Sequence, residues 1–339
     1  MPKKTHQINI HGPDLLSLDF IDYPLLESND LIIEIKCCGI CGTDLGYLSS
    51  GGLMGPQDKP MPLGHEMSGT VVEIGSNIKN IRINDRVAVN PVENNNNIGN
   101  GGLEGGMTNF LLVRNAALNK NIFKLPDDMS FEIGALIEPF AVALRAINRS
   151  NLTLDSKVSV LGLGCIGFSV VTLLSYLGYK NTVAIDLSEL RVSNTNNLDS
   201  VNAFNDWGVF VKALKEFHGE DEVFGMRVPD TDIFIDCTGN HTILSKIIEI
   251  SKRHARIIVA GLHKEEALIN FRSVLMRELE ITTSMAYSSE EFQKSLEILS
   301  NNVIDQNKFI SHKCTIQDYK EAFDLAKNGN IATKVMFEI

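Results

Sequence analysis

The stretch from Val158 to Asp186 admits few folds. Val158-Ser159-Val160-Leu161 is a short, β-branched apolar run of the kind buried on both faces of a parallel sheet. Gly162-Leu163-Gly164-Cys165-Ile166-Gly167 follows at once. The first glycine permits a tight turn, the second lets a phosphate approach the backbone, and the third lets the next helix pack close to the strand. That helix is expected over Cys165 to Leu177, with Gly178 placed to end it. Its open N–H groups and partial positive charge suit a pyrophosphate. Thr182-Val183-Ala184-Ile185 reads as a second strand delivering Asp186, nineteen positions after Gly167, where a carboxylate can accept hydrogen bonds from the hydroxyls of an adenine ribose. Strand, turn, helix, strand and acid agree on an NAD site using Gly162, Gly164, Cys165, Ile166, Gly167 and Asp186. Asp186 favours NAD over NADP because a 2′-phosphate would meet a like charge, and Arg191, five residues on, is the one cation that argues otherwise. The same pattern has a plainer reading, a βαβ unit that binds nothing.

At 339 residues the chain has room for about two domains, and 44% hydrophobic with 22% charged residues is a globular composition. A net charge of −11 argues against nucleic acid or an anionic membrane as the main partner and leaves small molecules. Neither a signal-peptide core nor an apolar run of transmembrane length is present, which implies a cytoplasmic protein. The six cysteines, three of them crowded into Cys37, Cys38 and Cys41, have no regular framework, so disulfides are not expected.

The first 145 or so residues read as short strands with turn punctuation, such as Leu31–Lys36, Ser68–Ile74, Arg86–Val89 and Phe110–Val113. Between Glu93 and Gly106 four consecutive asparagines precede five glycines, a composition expected to bury no apolar area and to form a mobile loop. Phe131 to Ile147 is apolar at helical spacing. Beyond the glycine motif strands and helices alternate, as in a doubly wound parallel sheet: Ile233–Asp236, a helix near Thr242–Ser251, then Arg256–Ala260. Helical patterns near Glu290–Leu299 and Ile316–Lys327 and a strand at Lys334–Ile339 complete the chain.

Three pieces carry ligand-type side chains: Gly39-Ile40-Cys41-Gly42-Thr43-Asp44, Gly64-His65-Glu66, and Glu138-Pro139. Singly each has a bland reading, a buried thiol, a satisfied histidine, a helix end. In this order, ahead of a dinucleotide motif, and with Asn84-Asp85-Arg86-Val87, Gly105-Gly106, Asp236-Cys237-Thr238-Gly239 and Lys334-Val335, they resemble the zinc-dependent medium-chain dehydrogenases of the alcohol dehydrogenase superfamily. The likeness is to the branch holding sorbitol, butanediol and threonine dehydrogenases.

That resemblance implies an α/β protein. A β-rich, GroES-like catalytic domain over 1–146, completed by 287–339, would flank an NAD-binding Rossmann domain over 147–286, with the active site in a cleft. It implies one catalytic zinc held by Cys41, His65 and one of Glu66 or Glu138, the choice being open. Thr43 would pass the proton of an alcohol onward, and Thr238 would join the cofactor contacts. Two departures stand out: Gly46 replaces a histidine common at the outer end of the proton path, and the four cysteines of a structural zinc lobe are missing, so no second zinc is expected. The implied reaction is reversible hydride transfer between a secondary alcohol or polyol and NAD, in a homodimer or homotetramer. A zinc-independent reductase of the same superfamily and a non-catalytic dinucleotide-binding protein are the rivals. Cys165 and Cys237 read as packing residues, Arg145 as a surface ion-pair residue, and His218, His254, His263 and His312 as exposed or incidental, having no partner nearby in sequence.

Overall fold

In the computed structural model, which describes residues 4–339, the apolar tetrapeptides beyond residue 150 become a six-stranded sheet. Its strands are β1 (Val158–Leu161), β2 (Thr182–Ile185), β3 (Val201–Phe204), β4 (Ile233–Asp236), β5 (Arg256–Val259) and β6 (Glu280–Thr283). All pairings are parallel and the spatial order is β3-β2-β1-β4-β5-β6. β1 is central, with Val160 opposite Ala184 on one side and Ile235 on the other, and every residue of β1, β2 and β4 is buried. That is why these runs show no polar alternation. The helix Cys165–Tyr176 ends as expected, Gly178 taking a left-handed φ of 88° just past it. On the sheet, Phe210, Leu214, Phe234, Ile247 and Ile257 form one apolar cluster. An antiparallel hairpin, Glu220–Val223 with Met226–Pro229, lies outside the sheet and had no clear signature in the sequence.

The chain divides into two units, Met1–Glu138 with Ser289–Ile339, and Pro139–Ser288. The apolar stretch after Phe131 is two helices, Phe131–Ala135 and Ile137–Arg149, and the pattern after Ile316 opens as a 3-10 turn before the helix Tyr319–Lys327.

In the first unit Leu31–Gly39 is the organising strand. It pairs antiparallel with Glu66–Ile74, Phe110–Val113 and Val335–Glu338. The return segment is therefore part of the same sheet as the N-terminal strands. Phe292, from the helix Ser289–Leu299, also reaches the ring of Phe123, with centroids 4.6 Å apart. Each ring is fully buried, worth about 1.5–3 kcal/mol by burial alone.

The Asn/Gly segment departs from expectation. Ile98 is fully buried and Asn96 almost so. The Asn96 carboxamide donates to the carbonyls of Glu93 and Arg114, at 2.8 and 2.9 Å, and accepts the Arg114 N–H at 3.1 Å. Gly99, at φ 65°, lies so near that an added Cβ would fall 2.1 Å from the Gly64 carbonyl oxygen. Composition misled because the asparagine side chain replaces the missing backbone partners and glycine permits close main-chain approach. Asn96→Ala should therefore speed hydrogen exchange at the Arg114 amide by about tenfold or more, since a buried group left unpaired costs about 1–3 kcal/mol. Asn97→Ala, at an exposed position beside it, should leave that rate alone.

Candidate metal centre and dinucleotide site

Strand register brings together residues far apart in sequence. Gly39 stands opposite Glu66 on one side and Met336 on the other. Cys41 leaves the end of that strand, His65 immediately precedes Glu66–Ile74, and Lys334 immediately precedes Val335–Glu338. Cys41 caps the helix Gly42–Ser50: its Sγ accepts the Thr43 N–H at 3.5 Å, and the Asp44 carboxylate accepts the Cys41 N–H at 2.8 Å. The sulfur thus lies at the positive end of a helix. One ligand atom each from Cys41, His65 and Glu66 lie within 4.8 Å of one another.

Asp44 and Lys334, given no role by the sequence reading, complete this cluster. Asp44 is fully buried, also accepts the Gly64 N–H at 3.3 Å, and lies 3.5 Å from His65 Nδ1. Its signature is local, an acid three residues after a capping cysteine. Lys334, also buried, donates to the Ile40 carbonyl at 3.0 Å and forms an ion pair with Glu66. Nothing local marks it, because its partners lie some three hundred positions away. A Cβ at Gly39 would fall 2.1 Å from Glu66 Oε2 and 2.8 Å from Lys334 Cε, so only glycine leaves this pair room.

Burial pushes the His65 imidazole down, but the negative charges of Asp44, Cys41 and Glu138 outweigh it and hold it well above the ordinary histidine range. Burial pushes the Asp44 carboxyl up. Glu66 Oε1 is buried with no hydrogen-bond partner among the described residues. Thiol, imidazole and carboxylate converge where negative charge exceeds what Lys334 balances, a donor set that fits zinc. Glu138, buried in the first turn of Ile137–Arg149, acts on His65 as a charge but is not among the three grouped ligands. Thr43 is half-buried, and a side chain added at Gly46 would meet nothing within 4 Å.

In the second unit the glycine motif behaves as its spacing requires. Gly162 takes φ 85°, and a Cβ on Gly167 would fall 1.7 Å from the Gly162 carbonyl oxygen. The helix begins at Cys165 and Ile166, with Gly164 as an N-cap that has no side chain to give a capping hydrogen bond. Asp186 Oδ2 accepts the Leu163 N–H at 2.6 Å and Oδ1 the Ser188 N–H at 2.8 Å, tying the end of β2 to the turn. Arg191 Nη1 lies 3.5 Å from Asp186 and borders Gly164. Thr238 turns its methyl toward Gly162 and gives its N–H and hydroxyl to Asp236. Burial pushes the Cys237 thiol up, which suits a packing role.

His218 and His263 correct the sequence reading, whereas His254 is exposed as expected. His218 is buried, with Thr231 Oγ1 at 2.9 Å and the Asn181 carbonyl at 3.2 Å, and burial lowers it to about 4. His263 Nε2 lies 3.0 Å from Asp236 Oδ2, His254 lies 3.3 Å from Glu278, and His312 lies 3.0 Å from the neighbouring Ser311 hydroxyl. Except at His312, these partners arrive through the fold from other segments, out of reach of a local reading.

Residues 27–127 match the alcohol dehydrogenase GroES-like domain and residues 165–301 the zinc-binding dehydrogenase family. A sorbitol dehydrogenase from Bombyx mori is 27% identical, the match covering 97% of each chain. A D-xylulose reductase from Saccharomyces cerevisiae is 28% identical over 94% of this chain and 92% of its own. The crystal structure of 2R,3R-butanediol dehydrogenase from Bacillus subtilis superposes with a TM-score of 0.85 over 99% of both chains, at 24% identity. With both family segments in order, full-length relatives and a clustered cysteine, histidine and glutamate, the chain belongs to the zinc-dependent alcohol dehydrogenase family.

Proposed function

We propose that this protein is a zinc-dependent, NAD-linked dehydrogenase that interconverts a secondary alcohol or polyol with its ketone. The observation that carries the reading is the convergence of Cys41, His65 and Glu66. Relatives that act on sorbitol, xylulose and butanediol support the substrate class. Zinc, when bound, supplies Lewis-acid polarisation that lowers the pKa of a hydroxyl from about 16 toward roughly 7, and NAD supplies the hydride acceptor. Cys41, His65 and Glu66 would hold the metal, and Asp44 would keep the His65 ring turned toward it. Glu138 stands as the neighbouring carboxylate. The Thr43 hydroxyl accepts the proton of the substrate hydroxyl and hands it on; with Gly46 facing open space, water takes the outer position. Amides of the glycine turn receive the pyrophosphate, and Asp186 the adenine ribose. We place the protein in the cytoplasm, where free thiols such as its six persist. No helix among the described residues is long and apolar enough to cross a membrane. A homodimer or homotetramer is the assembly that the family likeness suggests.

Metal analysis tests the centre. We expect one zinc per chain, and Cys41→Ala or His65→Ala should abolish both bound zinc and oxidation of a secondary-alcohol panel while NADH binding remains measurable. Glu66→Gln should lose the metal, whereas Glu138→Gln should cost about 10–100-fold in affinity or activity, as a neighbouring partner does. Activity without zinc would assign the chain to the zinc-independent reductases.

Coenzyme kinetics tests Asp186. Wild type should favour NAD over NADP by at least about tenfold in kcat/KM, roughly 1.4 kcal/mol, and Asp186→Ala should erode the preference. Equal or better turnover with NADP would assign the decisive contact to Arg191.

A further inference from the structure

The carboxyl edge of the parallel sheet carries a second polar constellation, away from Asp186. Asp236, the last residue of β4, is fully buried. Its Oδ1 accepts the Thr238 N–H at 2.9 Å and the Thr238 hydroxyl at 2.6 Å. Its Oδ2 lies 3.0 Å from His263 Nε2, the imidazole coming from the segment just past β5. The Asp236 carbonyl accepts the N–H groups of both Ala260 and Gly261 at 2.9 Å, so main chain and side chain together fix that segment on the end of β4.

The arrangement is continuous with the glycine turn. A Cβ added at Gly162 would lie 3.1 Å from the Cys237 carbonyl carbon, and one at Gly261 would lie 2.3 Å from the Gly239 nitrogen. Backbone is thus packed on backbone from the turn after β1, across the end of β4, to the loop that bears His263. Apart from the Thr238 methyl, 3.0 Å from such a Cβ on Gly162, the atoms nearest these two glycine positions are main chain, as they are where a ligand lies along a sheet edge.

The hydrogen-bonding roles of the two nitrogens in the neutral ring follow from the partner. A carboxylate only accepts hydrogen bonds, so Nε2 carries the proton, and in the neutral ring Nδ1 is left as an acceptor. Nδ1 has no hydrogen-bond partner among the described residues, and the side chain is 13% exposed, enough for one face to be reached. If His263 served only to satisfy Asp236, nothing would require its second nitrogen to be left open at this edge.

In a sheet of order 3-2-1-4-5-6 a dinucleotide lies across the ends of the strands where the order reverses, here between β1 and β4. Asp186, after β2, claims the adenine side, so the other nucleotide half falls over β4 and β5. We propose that His263, oriented by Asp236, binds the nicotinamide half of the dinucleotide, its Nδ1 accepting a hydrogen bond from a ribose hydroxyl. The inference rests on the NAD-linked reading above and extends it to a residue on the opposite side of the switch point from Asp186.

Calorimetric titration of the purified full chain with NADH and, separately, with AMP tests it, because AMP fills only the adenine half. His263→Gln retains a donor toward Asp236 but lacks an acceptor at the Nδ1 position, so it should melt close to wild type. It should weaken NADH binding roughly three- to tenfold, the loss of one hydrogen bond to an uncharged group, with AMP affinity unchanged. His263→Ala should show the same loss for NADH and, in addition, a lower Tm. His263→Asn, which can place an oxygen near the Nδ1 position, should recover part of the NADH affinity. An unchanged ratio of NADH to AMP affinity in the glutamine and alanine variants would overturn the proposal and leave His263 a structural partner of Asp236. A wild-type protein that binds AMP but not NADH would be a different result, overturning the NAD-linked reading and this inference with it.

Discussion

Lys334 faces Glu66 in the interior of the first unit, and the candidate metal centre depends on that contact more than on any other. Both side chains are almost completely buried. Removing either partner from such a pair leaves an uncompensated buried charge, typically 3–5 kcal/mol against the fold. The pair exists because Leu31–Gly39 is clasped on one side by Glu66–Ile74 and on the other by Val335–Glu338, whose entry residues meet beyond its end. The lysine limits how much negative charge the pocket carries, and the glutamate oxygen that lacks a hydrogen-bond partner among the described residues keeps it polar. Cys41, His65 and Asp44 join through a helix cap and a strand entry. Stability and metal chemistry therefore rest on the same few side chains.

How much of this the sequence disclosed depended on the range of the interaction. The glycine turn, β1, β2 and Asp186 lie within thirty residues, and each carries its reason in its residue type, so their arrangement was readable before the structure. Cys41, His65 and Glu66 were readable only as a set with a known likeness, because no local rule joins positions 41 and 65. Asp44 had a local signature as the reciprocal partner of a capping residue. Lys334 and His263 had none: a lysine at a strand entry and a histidine in a loop take their meaning from Glu66 and Asp236. The Asn/Gly segment failed differently, since composition described its side chains correctly but not the hydrogen bonds of Asn96 or the burial of Ile98.

Two aspartates at the carboxyl edge of the parallel sheet share one device. Asp186 directly follows a buried strand and Asp236 ends one, and each spends hydrogen-bond capacity on the backbone just beyond it, Ser188 in one case and Thr238 in the other. A carboxylate fixed in this way loses rotational freedom before any ligand arrives, which is how a site limits the entropic cost of binding. They differ in the second partner, a backbone amide of the glycine turn for Asp186 and an imidazole for Asp236.

The place of Val335–Glu338 in the sheet has a consequence for biosynthesis. This strand is translated after the whole of Pro139–Ser288, yet it pairs with Leu31–Gly39, made some three hundred residues earlier. A ribosome adding about 5–20 residues per second takes many seconds to cover that interval. Until then one edge of Leu31–Gly39 has no partner on the Val335–Glu338 side. The second unit, continuous in the chain, can fold as it emerges, while the first waits with an apolar strand edge open. For this protein the vulnerable period in the cell lies between the two, and it is there that a chaperone would have something to hold.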